Sequence, residues 1–174
     1  MVKPVKTRAT AKRAASGARV AIVRARWNEV VTLALERGAI ERATAGGATL
    51  SLFEVAGSFE LPGAVALLAD TGGYDAVVPI GCLVRGETPH FDVLAHAVAR
   101  GLLELSMTYP IAITFGVLTC DTIEQAMERA GGAEGNAGAE AMDAALELVA
   151  LRQALSTRPR AARSRSRASS RSTR

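Results

Sequence analysis

Short apolar runs alternate along the chain with longer segments whose apolar residues recur at helical spacing. The short runs span residues 19–23, 49–55, 75–81 and 111–118 and are fairly rich in β-branched residues, which is typical of strands. Each run is separated from the next by enough residues for a helix. This alternation predicts an α/β fold, in which a parallel sheet is covered by helices on both faces.

Turn and capping residues predict where the helices begin and end. Asn28 is predicted to cap a helix that runs to about Thr44 and ends at a pair of glycines. Asp121 and Glu124 have the spacing of a capping box. Further helices are predicted from Ser58 to the glycine pair at 72–73, from His90 to Met107, from Asp121 onwards and from about Ala137 to Leu155. The glycine-rich stretch 131–138 is interpreted as a connector between the last two helices.

Basic residues are concentrated at the two ends of the chain. Residues 1–18 hold five basic residues, residues 156–174 hold seven arginines, and neither segment contains an acidic residue. Residues 19–155 hold nine basic and 17 acidic residues, a net charge of −8, although the whole chain carries +4. Both ends are poor in large apolar groups, so we expect both to be disordered and residues 19–155 to form one folded domain.

The composition does not favour a membrane or metal-binding protein. Apolar residues make up 49% of the chain, but no run approaches the roughly 18 consecutive apolar residues of a membrane span. Cys82 and Cys120 follow strand-like runs, so buried free thiols are favoured over a disulfide or a zinc site. His90 and His96 are poorly spaced to share a metal. With no secretory signal at the N-terminus, we expect a cytoplasmic location.

Polar residues, glycines and the lone tryptophan follow the four predicted strands. The segments at these positions read RARWNE, AGSFELP, CLVRGETPH and TCDT in chain order. In a parallel sheet, the ligand crevice lies beyond the carboxyl ends of the strands. The clustering therefore predicts a functional site at that edge of the sheet.

His90 has two interpretations on residue type alone. An imidazole exchanges protons near neutral pH, and the free backbone N–H groups at a helix start favour an anion. The alternative is an ordinary residue at the start of a helix, bonded to Asp92 or to solvent. His96 lies inside the same predicted helix without polar neighbours and is interpreted as structural.

Three other residues also have two interpretations. Trp27 can stack on a planar ligand or belong to the core or its rim. Glu60 can accept hydrogen bonds from ligand hydroxyls or from the N–H groups of the following helix. Arg129 can bind a phosphate through its planar guanidinium or pair with a neighbouring glutamate at the surface.

The combination of five stretches resembles the lumazine synthase family. The stretches RWNE, GSFELP, GCLVRGETPHFD, FGVLTCDTIEQAMERAG and GNAGAEA occur in that family's order and spacing, over about residues 18–155. The resemblance implies a flavodoxin-like three-layer sandwich with a four-stranded parallel sheet. It also implies condensation of 5-amino-6-(D-ribitylamino)uracil with 3,4-dihydroxy-2-butanone 4-phosphate, without a metal or organic cofactor. The products are 6,7-dimethyl-8-ribityllumazine, phosphate and water, in the penultimate step of riboflavin biosynthesis.

Motif matching, as implied by the resemblance, assigns roles to individual residues. His90 matches the proton-transfer residue of the family. The ribitylaminouracil is expected to contact Trp27, Ser58, Phe59, Glu60, Cys82, Leu83, Val84 and Phe115. The butanone phosphate is expected to contact Glu87, Thr88 and Arg129. Phe115 and Arg129 match positions that a neighbouring subunit contributes, whereas Arg85 is assigned no catalytic role.

The resemblance further implies a homo-oligomer, as a single pentamer, a decamer or a 60-subunit shell, and riboflavin synthase as a candidate partner. Ala137 stands where a lysine is common in the family, so the phosphate site depends more on Arg129. Two alternatives stay open. One is a non-catalytic protein that binds flavin or lumazine on the same fold, and the other is non-specific binding of polyanions by the arginine-rich C-terminal tail.

Overall fold

A computed structural model describes residues 16–156 of the chain. The two tails predicted to be disordered lie outside the described residues, apart from residues 16–18 and 156. The elements in chain order are β1 (Arg19–Ala25), α1 (Glu29–Ala45), β2 (Thr49–Val55), a 3₁₀ turn (Ser58–Glu60), α2 (Leu61–Asp70), β3 (Ala76–Val84), α3 (His90–Thr108), β4 (Ala112–Ile113), β5 (Gly116–Cys120), α4 (Ile123–Glu128), β6 (Ala130–Gly132), β7 (Gly135–Asn136) and α5 (Ala137–Ser156).

The main sheet is parallel throughout, with the order β2–β1–β3–β4, and β5 also pairs with β3. The predicted fourth strand, 111–118, is divided into two. β4 pairs with the start of β3 and β5 with its end, while Thr114 and Phe115 lie between them. Because β4 and β5 share one edge of β3, the predicted flavodoxin-like fold with four strand positions is confirmed.

Alternate residues of β1 face opposite layers of helices. Val20 and Ile22 belong to the core cluster that α1 and α5 cover. Ala21 and Val23 belong to the cluster that α2 and α3 cover. All four side chains are buried, as expected for a central strand of a parallel sheet. Since helices cover both faces, the carboxyl ends of the strands remain as the open edge where a ligand can enter.

The packing of α5 on α1 depends on Gly138. A Cβ atom at this position would lie 2.1 Å from the backbone oxygen of Leu35 in α1. Gly138→Ala is therefore expected to lower the free energy of unfolding by about 1–3 kcal/mol, because the two helices must move apart. Helix propensity alone would raise the free energy of unfolding of the alanine variant by about 1 kcal/mol. The close contact and the helix propensity therefore predict changes of opposite sign. Urea unfolding at fixed protein concentration measures the change, and a gain in stability would refute the close contact.

Two of the predicted boundaries differ from the structure. The residue that caps α4 is Thr122, whose Oγ1 accepts from the Gln125 N–H at 3.3 Å, and Asp121 precedes it. The predicted connector 131–138 forms an antiparallel hairpin from β6 and β7 before α5 begins. Gly131 and Gly135 have positive φ angles, which explains why a glycine-rich stretch closes a hairpin here. None of the described helices is long and apolar enough to cross a bilayer.

Candidate active site

A cavity of about 310 Å³ lies at the carboxyl edge of the sheet, between the segments that follow β1, β2 and β3. It contains both polar groups and aromatic rings. Most of the residues singled out from the sequence line it together, namely Trp27, Ser58, Phe59, Glu60, Cys82, Leu83, Val84, Thr88 and His90. Residues that are far apart in the sequence thus form one site at the predicted edge.

The loop after β1 is fixed by Asn28 in a way that the sequence did not predict. Asn28 precedes α1 but makes no side-chain cap. Its φ angle is 57°, in the left-handed region, and its Nδ2 donates to the backbone oxygen of Cys82 at 2.9 Å. Asn28 occupies the predicted N-cap position of α1, but its side chain makes no capping bond, because the amide joins this loop to the end of β3. The neighbouring Trp27 is 73% exposed at the cavity rim, where its face is available to a planar ligand.

Asn28→Ala and Asn28→Gly should differ in stability. Both variants lose the hydrogen bond to the Cys82 oxygen, but only alanine is strained in the left-handed region. We expect Asn28→Ala to be less stable than Asn28→Gly by about 1–2 kcal/mol. Thermal and urea unfolding of the two variants measure the difference. Equal stabilities would show that the loop relaxes to an ordinary backbone conformation when the amide is removed.

A buried cation lies beneath this loop. Arg24 in β1 is 3% exposed and lies 3.4 Å from Glu36 and 3.9 Å from Glu29, both in α1. It also pairs with Glu54 in β2. Burial raises the pKa of Glu36, and the Arg24 charge opposes that rise. The cluster joins α1 to β1 and β2 next to Trp27, so it supports the loop from below without lining the cavity.

Ser58 and Glu60 supply polar groups to the cavity from the 3₁₀ turn. The Ser58 hydroxyl is buried and has no hydrogen-bond partner among the described residues. A Cβ at Gly81 would lie 2.6 Å from that hydroxyl, so only glycine leaves room for it. Glu60 uses Oε2 to accept from the Gly57 N–H at 2.8 Å. This bond resembles the structural role considered for Glu60, and it leaves Oε1 available to a ligand.

The end of β3 contributes backbone groups and apolar side chains to the wall of the cavity. Burial raises the pKa of the Cys82 thiol to about 12, so the thiol stays protonated near neutral pH. Both cysteines are buried and free, as predicted. A protonated thiol is a poor nucleophile. Cys82 therefore shapes the cavity and does not act as a reactive group.

Arg85 holds the start of α3 against the segment that follows β5. Its guanidinium donates to both carboxylate oxygens of Asp92 at 2.9 Å and to Asp121 at 2.9 Å. It also lies 4.3 Å above the centre of the Phe91 ring. Hydrogen bonding from Arg85 lowers the pKa of Asp92. All of these contacts involve neighbouring protein groups, so Arg85 orients the helix that carries His90.

His90 is the first residue of α3, and its side chain is exposed at the cavity. Its backbone N–H donates to the Thr88 hydroxyl at 3.4 Å. The alternative in which His90 is bonded to Asp92 is not seen among the described residues, and the Asp92 carboxylate pairs with Arg85 instead. His96 points elsewhere, with Nδ1 2.6 Å from the Asp92 backbone oxygen. The first residues of α3 line the cavity, and the N–H groups of a helix's first turn generally lack intrahelical partners, which suits an anion beside His90.

Three residues of the predicted set do not line the cavity. Glu87 is exposed between two lining residues, Gly86 and Thr88. Phe115 lies between β4 and β5, is 46% exposed and lines a different cavity with residues of α3. Arg129 follows α4 and is exposed, and among residues 16–156 it forms no ion pair with a carboxylate. The predicted alternative of a surface ion pair for Arg129 is therefore wrong.

A second, larger cavity of about 620 Å³ lies between α2 and α3. Its lining is mostly apolar, with Leu67, Val98 and Gly101 among the contributing residues. Phe59 and Glu60 line both cavities. The larger cavity lacks His90 and the start of α3, so the smaller one is the candidate active site. In the described part of the chain, no group of three His, Cys, Asp or Glu side chains is arranged to hold a metal ion.

Comparison with known proteins identifies the family of the chain. The family model described as 6,7-dimethyl-8-ribityllumazine synthase matches residues 17–153. The chain belongs to the lumazine synthase family. A protein of that name from Thermus thermophilus is 48% identical over 145 residues, which are 82% of this chain and 92% of the relative. One from Gemmatimonas aurantiaca is 44% identical over 138 residues, which are 78% of this chain and 84% of the relative. The resemblance inferred from the motifs is confirmed.

Sequence reasoning missed several residues that line this cavity. They are Asn28, Gly57, Gly86, Phe91 and Leu94. Leu94 lies four residues after His90, and helical spacing places both on one face of α3, so a signal was available. The contribution of Asn28 had no such signal, because it depends on a hydrogen bond to a residue 54 positions away.

Proposed function

We propose that this lumazine synthase family member condenses 5-amino-6-(D-ribitylamino)uracil with 3,4-dihydroxy-2-butanone 4-phosphate. The products are 6,7-dimethyl-8-ribityllumazine, phosphate and water. The observation that carries the proposal is the cavity in which His90 and the start of α3 meet Trp27, Ser58 and Glu60. These groups can accept a planar heterocycle, a polyhydroxylated chain and a phosphate in adjacent positions.

The ribitylaminouracil is proposed to occupy the side of the cavity formed by the ends of β1, β2 and β3. Trp27 stacks on the pyrimidine, and the unpartnered Ser58 hydroxyl supplies a polar contact. Glu60 accepts from the ribityl hydroxyls through the oxygen that Gly57 does not use. The Phe59 side chain and the stretch 82–84 complete the pocket, the latter through backbone contacts.

The phosphate of the second substrate is proposed to lie at the start of α3. Thr88 and Glu87 lie in the segment that leads into the helix, where N–H groups are free to donate to an anion. The Arg129 guanidinium neutralises the charge as phosphate leaves, and Phe115 extends the pyrimidine pocket. In the described chain Phe115 and Arg129 do not line this cavity. Both are therefore proposed to come from the neighbouring subunit.

The chemistry requires proton transfers but no enzyme nucleophile. The substrate amine attacks the ketone, and water is lost to give an imine. Phosphate then leaves, an enol–keto shift follows, and the ring closes with loss of the remaining water of the condensation. His90 accepts and returns the protons of these steps. Residues 19–155 contain no lysine, and the Cys82 thiol is protonated, so the attacking nitrogen is supplied by the substrate.

The assembly is proposed to be a homo-oligomer built from pentamers, as a single pentamer, a decamer or a 60-subunit shell. Besides the incomplete cavity, the described chain exposes large apolar side chains on α2 and α3, including Leu67, Val93, Leu103 and Met107. A surface of this kind on one chain is typical of a subunit interface. Size-exclusion chromatography with light scattering distinguishes these assemblies. A monomer at micromolar concentration would contradict the proposed shared site.

The activity is tested by mixing both substrates with the full-length protein and following lumazine absorbance. The uncatalysed condensation is measured in parallel and subtracted. We expect saturable formation of lumazine in proportion to protein concentration. The non-catalytic alternative predicts tight binding of lumazine or riboflavin with no rate above the uncatalysed one, and that outcome would refute the proposed activity.

We also propose a cytoplasmic location and riboflavin synthase as a partner. A cytoplasmic location agrees with the two free, buried cysteines, and riboflavin synthase is the candidate partner because it belongs to the same biosynthesis. Non-specific binding of polyanions is the alternative function, and it rests on the seven arginines without an acidic residue in 156–174. Nucleic acid that copurifies with the full chain but not with a variant ending at Ser156 would support that function. Equal absorbance at about 260 nm in both preparations would refute it.

A further inference from the structure

Arg24 contacts the chain on both sides of the loop that carries Trp27. The loop consists of residues 26–28, between β1 and α1. Arg24 lies in β1, before the loop, and its Nη1 donates at 3.4 Å to the hydroxyl of Thr32 in α1, after the loop. The Thr32 hydroxyl in turn donates to the backbone oxygen of Glu29, in the first turn of α1, at 3.4 Å. The guanidinium therefore closes the base of this loop.

The same guanidinium joins the loop to β2. Glu54 lies directly beside Arg24 in the parallel register of the two strands, and its carboxylate accepts from Nη2. The backbone N–H of Trp27 donates to the oxygen of Ala56, two residues after Glu54, at 3.3 Å. A Cβ atom at Gly57 would lie 3.5 Å from Cδ1 of the Trp27 ring. The indole thus lies beside the segment that follows β2, and Arg24 fixes that segment relative to the loop.

The Arg24 guanidinium is buried and held in one orientation. It is 3% exposed, and a buried charge is costly unless it is paired. Three carboxylates face it, those of Glu29, Glu36 and Glu54. Glu36 lies 3.4 Å from Nε without a hydrogen bond, so it balances the charge but does not orient the group. The orientation is set by Thr32 and Glu54, which bind different nitrogens of the planar guanidinium.

We propose that Arg24 is a positioning residue for the reaction, because it holds Trp27 in the orientation that stacks on the pyrimidine of the ribitylaminouracil. Arg24 does not line the cavity, so it acts through Trp27 and touches neither substrate. The Trp27 side chain is 73% exposed, so its orientation depends on the loop that carries it and not on burial in the core. This inference rests on the stacking proposed above for Trp27, and it adds the residue on which the stacking depends.

The first measurement is the KM for the ribitylaminouracil in Arg24→Ala. One aromatic stacking contact corresponds to about two- to ten-fold in affinity, so this KM should rise by that factor. Trp27→Ala should raise the same KM at least as much. The kcat and the KM for the butanone phosphate should change little in Arg24→Ala, because His90 and the start of α3 lie on a different part of the chain. Equal changes in kcat and in both KM values would indicate a general structural defect and would overturn the proposal.

Combining the two substitutions tests whether Arg24 acts through Trp27. In the Trp27→Ala background, Arg24→Ala should have no further effect on the KM for the ribitylaminouracil, because the side chain that it positions is already absent. A further rise as large as the one in the unmodified background would show that the two residues act independently. That result would overturn the proposal.

Arg42→Ala is the matched control for a weakened attachment of α1. Arg42 lies near the other end of this helix, and its Nε donates to Asp143 of α5 at 2.9 Å. Its removal weakens the packing of α1 without changing a contact of the loop 26–28. Both KM values should therefore stay unchanged. A rise in the KM for the ribitylaminouracil equal to that of Arg24→Ala would assign the effect to loosening of α1 and would overturn the role of Arg24.

The fluorescence of Trp27 gives a second readout that does not depend on activity. Trp27 is the only tryptophan of the chain, so the emission reports on this loop alone. Arg24→Ala should increase the amplitude of the sub-nanosecond anisotropy decay, which reports fast side-chain motion, and Arg42→Ala should not. Identical decays in Arg24→Ala and the unmodified protein would overturn the proposal.

Glu54→Ala replaces Arg24→Ala in these measurements if loss of the buried charge prevents folding. The Glu54 side chain is half exposed, so this variant should fold, and it removes the partner of Nη2 in β2. The KM and the anisotropy decay should change in the directions predicted for Arg24→Ala, and no change in either would overturn the proposal. If the unmodified protein forms no lumazine above the uncatalysed rate, the proposed function is refuted, and the anisotropy comparison still decides whether Arg24 orders Trp27.

Discussion

His90→Ala is expected to lower kcat for lumazine formation by about 10²- to 10⁴-fold, the usual contribution of a positioned acid–base group. The substituted side chain is exposed at the cavity and makes no side-chain hydrogen bond to another described residue, so the fold should be unchanged. The KM values should change little, because the binding contacts come from other residues of the cavity. Steady-state kinetics with each substrate varied in turn, after subtraction of the uncatalysed rate, measure both effects.

His96→Ala is the matched control for this variant. His96 lies in the same helix, is exposed and does not line the cavity. The His96→Ala variant should keep the kcat of the unmodified protein. This result would show that kcat depends on the imidazole at the cavity and not on any histidine in α3. If His90→Ala kept more than about a tenth of kcat, proton transfer by His90 would be ruled out as a main contribution.

Arg129→Ala is expected to raise the KM for the butanone phosphate by about ten- to a hundred-fold, the effect of losing a hydrogen-bonded charge. Arg129 is exposed and has no ion pair in the described chain, so no internal contact competes with a phosphate. Ala137 supplies no second cation near this position. The KM for the ribitylaminouracil should change much less. The KM of Arg129→Lys for the butanone phosphate should lie between that of the unmodified protein and that of Arg129→Ala, because lysine keeps the charge without the planar pair of donors.

Arg37→Ala is the control for the loss of an exposed arginine. Arg37 lies in α1, is exposed and forms no ion pair with the described residues. Both KM values should stay unchanged in this variant. Saturation of Arg129→Ala by the butanone phosphate at the concentration that saturates the unmodified protein would show that another residue binds the phosphate.

The parts of the fold that the sequence predicts well are those set by local periodicity. The strand at 49–55 and the helix that begins at His90 agree with the structure, because alternation of apolar residues and turn chemistry determine them. The edge at which the site lies was also predictable, since it follows from the parallel arrangement of the strands. Specific motifs, such as RGETPH, then indicated the family, which the comparisons confirm.

The parts that could not be predicted depend on contacts between distant residues. Asparagine is a common residue at helix caps, but the sequence does not show that a hydrogen bond to the Cys82 oxygen keeps Asn28 in the left-handed region. The run 111–118 has the periodicity of one strand, yet β3 pairs only with its two ends. Arg85 is conspicuous in the sequence, and only the structure shows that Asp92 and Asp121 occupy its guanidinium. Local patterns do not contain these pairings.

The central claim is that the active site combines the His90 cavity of one subunit with Arg129 of the next. It is tested by unfolding the His90→Ala and Arg129→Ala variants together, refolding them as mixed oligomers and measuring lumazine formation at low butanone phosphate. The Arg129→Ala subunit keeps His90 in its cavity, and the His90→Ala subunit keeps Arg129. A site formed between the two in that order therefore has both residues. Random mixing of equal amounts in a ring should therefore restore about a quarter of the unmodified activity. Activity no higher than the average of the two separate variants would contradict a site shared between subunits.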